Sequence, residues 1–474
     1  MNRNLINGDW VDSAHVLRSL NPSDTRETIG EYACADAEQM TEAVRAARAA
    51  TARWQNTTTQ TRSDFLQRVA SRMFAEKEAL GLLVSKEAGK TIAEGQGEVL
   101  RAAQIFQFFA GECVRYGGEN LPSVRPGIDV QISRHPVGVV SLITPWNFPI
   151  AIPAWKIAPA LAFGNTVVLK PSEHTPGVAH ALFRIFEDQG LPAGVANLVN
   201  GKGADAARSL LSGIDAVSFT GSVHTGRSVA QAAVHGMSRV QLEMGGKNPL
   251  VVLDDADLDV AVECALNGAF FSAGQRCTAS SRLIVAEKIH DRFVEALVAR
   301  MRRLKVGNSL DEQTQIGPVI NQSQFDKVLR YIQIGKDEGA ELVEGGGAVE
   351  CSTPGYFLRP ALFTRTGNAM RINQEEIFGP VASVIRVGDY DEALAVANDT
   401  PYGLSAGICT ESLRHANHFR ANVRSGLAMV NLPTAGLDYH VPFGGTKASS
   451  YGPREQGRYA VEFYTVSKTA YIAY

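Results

Sequence analysis

A chain of 474 residues is longer than one hydrophobic core usually organises, which points to two or three domains. With 45% hydrophobic and 20% charged residues it has the composition of an ordinary globular protein, which excludes a disordered or fibrous one. The formal net charge of -3, without a long basic run, gives no electrostatic reason to expect nucleic acid or an anionic membrane as a partner.

The opening residues, MNRNLINGDW, lack the apolar stretch of a signal peptide, and Asp9 argues against an acid-poor transit peptide. The six cysteines, at positions 34, 113, 264, 277, 351 and 409, form no C-x-x-C pair, and the ten histidines form no H-E-x-x-H pattern. A reducing, cytoplasmic compartment and no metal site are the expectation. Residues 37–121 read as helical throughout, with apolar residues at helical spacing. The most apolar stretch, 137–169, is broken by Pro145, Pro149, Pro153, Pro159 and Lys156, so it is not a membrane span and reads as buried strands joined by a special loop. Strand candidates at 137–143, 166–169, 196–199, 216–219 and 249–253 then alternate with helix candidates at 175–189, 204–212 and 225–233. A second alternating stretch has strands near 281–285 and 381–386 and helices near 290–304 and 322–338. This is the text of an α/β protein with mostly parallel sheets and a boundary near Gly245-Gly246. Residues 462–472 predict a terminal strand that pairs elsewhere in the fold or with another subunit.

Chemistry concentrates at a few points. Cys277, in GQRCTA (274–279), is a nucleophile if ionised, and Glu243, in LEMGGKNP (242–249), supplies a carboxylate to activate a water or a proton donor. Each alone has a plainer reading, an inert thiol or a structural carboxylate. Asn147, in TPWNFP (144–149), sits in a loop stiffened by two prolines and suits oxyanion stabilisation, with a capping asparagine as the alternative. Lys170 and Glu173, in KPSE (170–173), end a strand where parallel sheets bind ligands and suit a ribose, or a solvated turn. Gly221 and Ser222, in FTGS (219–222), lie between a strand and a helix start, a place for a pyrophosphate, although the spacing is not G-x-G-x-x-G.

These motifs, followed by EEIFGP (375–380) and PFGGTK (442–447), occur in an order that resembles the NAD(P)-dependent aldehyde dehydrogenase superfamily over almost the whole chain. The resemblance implies a Rossmann-type cofactor domain (1–117 and 137–245), an α/β catalytic domain (246–448), and a small β oligomerisation extension (118–136 and 460–474) in a homodimer or homotetramer. It implies that Cys277 attacks the aldehyde, Asn147 holds the oxyanion, and Glu243 activates the hydrolytic water. Trp146, Lys170, Glu173, Gly221, Ser222, Glu376 and Phe378 would contact the cofactor. A carboxylate at Glu173 favours NAD over NADP, because it accepts from a ribose hydroxyl and repels a phosphate.

Within the superfamily the likeness is to dehydrogenases of 2-oxoglutarate semialdehyde (2,5-dioxopentanoate), carried by PSVRPG (122–127), GQRCTASSR (274–282) and 431–452. Such a substrate has a carboxylate remote from its aldehyde, so Arg276 and Arg101 are candidates to bind it, with a surface ion pair as the alternative for each. Succinate semialdehyde or a broad range of aliphatic aldehydes is the second reading of substrate. A catalytically silent binding homologue is the reading from another class.

Overall fold

The computed structural model describes residues 1–202 and 208–474, so the first part of the helix expected at 204–212, residues 204–207, lies outside the described residues. Two parallel-rich sheets dominate. The first runs in the order Asp9–Val11, Asn4–Ile6, Ala196–Leu198, Thr166–Lys170, Val139–Ile143, Ala216–Thr220, Arg239–Glu243, Ser450–Tyr451. Its five central strands, from Ala196–Leu198 to Arg239–Glu243, are parallel, and antiparallel strands close both sides. The sequence explains the layering. Val140, Leu142, Val167 and Leu169 pack into one hydrophobic cluster, while Val139, Ile143 and Val168 pack into another on the opposite face. Strands buried on both faces are continuously apolar, because alternate side chains meet helices on either side.

The second sheet has the order Glu341–Glu344, Ala361–Thr364, Val381–Val387, Ser280–Ala286, Asn248–Val252, Ser405–Cys409, Leu427–Val430. Leu250 and Val252 face one core and Val251 the other, repeating the two-sided logic. A third, antiparallel sheet joins Thr465–Ala473, Ile128–Pro136 and Glu119–Pro122, so the terminal strand finds a partner inside its own chain.

Two expectations need correction. The stretch 37–121 is not helical to its end: four helices, Ala37–Gln55, Thr59–Ala75, Lys77–Ala88 and Ile92–Glu112, give way to the strand Glu119–Pro122. Gly117-Gly118 breaks the helical run, and backbone pairing with Ile128–Pro136 then decides the conformation. The region 137–169 is not two strands and a loop, because a helix, Ala151–Ala162, stands between Val139–Ile143 and Thr166–Lys170. Every residue of that helix is buried, so it shows no amphipathic stripe by which to recognise it. Pro153 lies in its first turn, where no amide donor is missed. Lys156 is fully buried yet satisfied by the Glu455 carboxylate and by Ser218 Oγ at 2.6 Å. Among the described residues no helix is long and apolar enough to cross a membrane.

This arrangement sets up a crevice. The strands of the first sheet end together, with Ile143 beside Lys170 and Thr220 beside Glu243. The chain crosses from Glu243 to Asn248 in four residues and enters the second sheet, where Asn248 pairs with Ser280, three residues after Cys277. The carboxyl edge of one sheet therefore faces the segment that carries the thiol, a position where open α/β sheets bind ligands.

Candidate active site

Cys277 lies where two cavities meet. One, of about 390 Å³, is lined by Phe148, Arg101, Arg276 and Leu437 among others; the second, of about 200 Å³, is lined by Trp146, Asn147, Ser222, Glu243, Glu376 and Phe378. Three residues wall both: Cys277, Trp155 and Phe443. Trp155 and Phe443 stack at 5.4 Å between ring centroids, forming an apolar partition beside the sulfur.

The loop that presents the thiol is strained and then tied down. Ser272, Ala273 and Gly274 have φ of 54°, 52° and 65°, three left-handed residues in a row. Only the glycine adopts this freely, and each of the other two costs about 1–2 kcal/mol. A side chain at Gly274 would also collide with the Gly379 carbonyl. The strain is held by Glu94, whose Oε1 accepts from the Ser272 amide at 2.8 Å and its hydroxyl at 2.7 Å. Gln275 Oε1 accepts from the Ile320 amide at 2.9 Å. Asn248 then fixes the thiol's own residue: its Nδ2 donates to the carbonyls of Cys277 (2.8 Å) and Ala279 (2.9 Å), and its Oδ1 accepts from the Ser405 amide (3.0 Å).

Asn147 is buried, and its Nδ2 donates to the Gln275 carbonyl at 3.0 Å, two residues before the thiol. The second N–H of the same amide leaves one donor for an oxyanion forming at the sulfur's substrate. Glu243 ends its strand in the smaller cavity and accepts from Ser450 Oγ at 2.5 Å. Burial, with Glu455 nearby, raises its carboxyl well above the usual range. Burial, with Glu376 and Glu243 as neighbours, pushes the Cys277 thiol up to about 12. Both shifts follow from a dry site that disfavours anions.

The expected cofactor residues divide. Trp146, Gly221, Ser222, Glu376 and Phe378 line the smaller cavity, with Trp146 and Phe378 edge to face at 5.4 Å. Phe378 is itself left-handed, φ 61°, and Gln324 Nε2 holds its carbonyl at 2.8 Å. Glu376 Oε1 accepts from the Gly246 amide at 2.9 Å, and Gly245 must lack a side chain because a Cβ there would overlap that carboxylate. Ser222 caps the helix Val223–His235 by accepting from the Thr225 amide at 3.2 Å, while the Gly221 amide donates to the Glu243 carbonyl at 3.0 Å. Lys170 and Glu173 lie outside this cavity, at the carboxyl end of the strand Thr166–Lys170; burial lowers the Lys170 ammonium, and Glu173 nearby partly offsets it. Arg276 and Arg101 both line the larger cavity.

Sequence reading missed Glu94, Trp155, Gln324, Lys327, Ser450 and Gln456. Phe443 stood inside a quoted motif without a role. Gln324 and Lys327 come from the helix Gln322–Asp337 and carry no local signal, since only packing brings that helix to the crevice.

With its thiol held neutral, the free protein should react slowly with iodoacetamide at Cys277 near pH 7. The rate should climb about tenfold per pH unit to at least pH 9, because thiolate is the reactive form. Mass-spectrometric labelling across that range checks this, and a plateau below pH 8 would contradict the buried-thiol reading.

The sequence profile of the aldehyde dehydrogenase family matches residues 10–470. Curated relatives include an alpha-ketoglutaric semialdehyde dehydrogenase of Bacillus subtilis, 42% identical over 99% of this chain and 97% of the relative. An alpha-ketoglutarate semialdehyde dehydrogenase of Haloferax volcanii is 44% identical over 100% of this chain and 99% of its own. Among solved structures, the betaine aldehyde dehydrogenase of Staphylococcus aureus in complex with NAD+ has a TM-score of 0.97 at 36% identity, covering 100% of this chain and 95% of that one. Since profile, relatives and backbone all agree from one end to the other, the chain belongs to the aldehyde dehydrogenase family.

Proposed function

We propose that the protein oxidises 2-oxoglutarate semialdehyde to 2-oxoglutarate with NAD, using Cys277 as nucleophile, Asn147 as oxyanion donor and Glu243 as base. The single observation that carries the chemistry is Cys277 at the junction of two cavities, with Glu243 and Asn147 on one side and the wider chamber on the other. The substrate rests on the names of the Bacillus and Haloferax relatives and of a 2,5-dioxopentanoate dehydrogenase of Saccharolobus solfataricus, 40% identical over 98% of this chain.

The residues of the smaller cavity suit the nicotinamide end of a dinucleotide. The Trp146–Phe378 ring pair offers apolar walls, and Thr220 Oγ1 is buried there without a partner among the described residues. Glu376 and Lys327 offer groups for ribose hydroxyls, and Lys170 with Glu173 suits the second ribose. NAD, held by these residues, would supply the hydride acceptor. The protein does the rest. Glu243 takes the thiol proton, the sulfur adds to the aldehyde carbon, and the Asn147 amide with the Cys277 backbone N–H holds the oxyanion of the thiohemiacetal. Once the thioester stands on Cys277, Glu243, having passed the thiol proton to solvent, draws a proton from water; the water oxygen adds to the thioester carbon, the C–S bond breaks, the acid leaves, and the thiolate takes back a proton from Glu243.

We also propose the division 1–117 with 137–245, 246–448, and 118–136 with 460–474; membership of the three sheets supports it. Six unpaired cysteines support a cytoplasmic location. The strand Thr465–Ala473 has an open outer edge with Tyr471 62% and Tyr474 88% exposed, which supports a homo-oligomer built on that edge.

Cys277→Ser should lower turnover about 10³-fold or more with NAD affinity unchanged. Glu243→Gln should slow both the first turnover of NADH and the steady state, the latter about 100-fold, as pre-steady-state absorbance would record. For the cofactor, kcat/KM should favour NAD over NADP by about tenfold, from like-charge repulsion at Glu173; a preference for NADP would reject the assignment. Deleting 465–474 should give a lighter particle than the full chain by light scattering, and equal masses would reject the edge as the interface.

A further inference from the structure

The larger cavity carries five charged side chains: Lys90, Arg101 and Arg276 against Glu94 and Glu98. Four of them cancel locally. Lys90 Nζ pairs with Glu98 at 2.6 Å, both buried, and Glu98 Oε1 also accepts from the Ile150 and Ala151 amides. Arg276 pairs with Glu94 at 3.3 Å through Nη2, while its Nε donates to Ser272 Oγ at 3.1 Å and its Nη1 to Asn267 Oδ1 at 3.3 Å and the Asn267 carbonyl at 3.5 Å. Glu94 is the carboxylate that holds the strained Ser272 turn, so Arg276 belongs to the scaffold of the thiol loop.

Arg101 is left over. It is half-buried and, among the described residues, closes no ion pair; its Nη2 donates only to neutral acceptors, the Asp438 carbonyl at 3.3 Å and Gln456 Oε1 at 3.1 Å. Asp438 and Glu98 oppose its charge from a distance, and Glu98 is already committed to Lys90. Asp438 meets Arg101 only through its backbone carbonyl, and a desolvated guanidinium with no carboxylate in contact is costly unless something else supplies one.

Gln456 gives an independent reason to read this as built for a ligand. It is fully buried, its backbone is left-handed at φ 59°, and its Nε2 has no partner among the described residues. Strain and an orphaned donor are both unfavourable for stability alone, and an apolar side chain would remove the second cost. What the residue provides in return is one bond, from its carbonyl oxygen to Arg101.

We propose that Arg101, aimed by Gln456, is the specificity-determining residue of the chamber: it receives the carboxylate at the far end of an ω-carboxy aldehyde while the aldehyde end reaches Cys277. This rests on the reading that the chain oxidises a carboxylate-bearing aldehyde, and it assigns the task to Arg101 in preference to Arg276. The bidentate match of guanidinium to carboxylate fits the end-on approach that a walled chamber imposes.

The test compares Arg101→Met, Arg101→Lys and Gln456→Leu with the wild type on 2-oxoglutarate semialdehyde, succinate semialdehyde and propanal. Arg101→Met should lower kcat/KM for both acids about 10- to 100-fold, through KM, and leave propanal within about threefold. Arg101→Lys should recover part of the loss, and Gln456→Leu should show a smaller loss with the same acid-selective pattern. Propanal turnover reports folding in every variant, and inhibition of propanal oxidation by glutarate, lost in Arg101→Met, reports the carboxylate site whichever aldehyde is physiological. Equal effects on acids and propanal, or glutarate inhibition intact in Arg101→Met, would overturn the proposal. A wild type with no preference for acidic aldehydes, yet with Arg101-dependent glutarate inhibition, would overturn the substrate reading and leave the carboxylate site standing.

Discussion

The side-chain amide of Asn248 is the interaction on which the site depends. It stands where the chain leaves the first sheet for the second, and it grips the carbonyls of Cys277 and Ala279 with one end and the Ser405 amide with the other. Three segments far apart in sequence thus share one planar group. Because Glu243 lies five positions before Asn248, fixing that amide also fixes the distance between base and thiol along a short, glycine-bearing link. Gly245 and Gly246 keep the link thin enough for Glu376 to lie against it.

Four of the nine left-handed residues other than glycine among the described residues lie around this joint. Ser272, Ala273, Phe378 and Gln456 are all left-handed, and all lie at or beside the two cavities. Strain of this kind persists only where neighbours over-determine the geometry. Glu94 does so for Ser272, and Gln324 does so for Phe378. The rigidity has a chemical use, since oxyanion donors act best when they need no reorganisation as charge develops.

Dryness is the second theme. Trp155, Phe443, Trp146 and Phe378 exclude water from the sulfur, and the same exclusion raises both the thiol and the Glu243 carboxyl toward their neutral forms. Several buried charges are met in pairs, Lys156 with Glu455, Lys90 with Glu98 and Arg276 with Glu94, whereas Lys247 Nζ is buried without a partner among the described residues and burial lowers it to about 7. Arg282 is the instructive variation, a fully buried guanidinium brought down to about 10 by burial and satisfied by the carbonyls of Lys247, Val396 and Ala397. It ties the link after Glu243 to the end of the helix Tyr390–Asn398.

Much of this was legible in the chain. Apolar runs between turn residues marked the strands near 137–143, 166–169, 196–199, 216–219, 249–253, 281–285 and 381–386 to within about two residues, because strands buried on both faces must be apolar throughout, but Arg239–Glu243, Ala361–Thr364, Ser405–Cys409 and Leu427–Val430 went unmarked. The motif order marked the family, and the residues picked out at 147, 243 and 277 all come to the wall of one cavity. The helix Ala151–Ala162 escaped because a helix buried on every side leaves no periodic signature. The strand Glu119–Pro122 escaped because its conformation comes from a distant partner. The two arginines could not be told apart in the sequence, where each is simply a cation near a motif. Only the tertiary structure brought Glu94 to Arg276 and Gln456 to Arg101, because ion pairing is decided by side chains that meet in space from segments hundreds of residues apart.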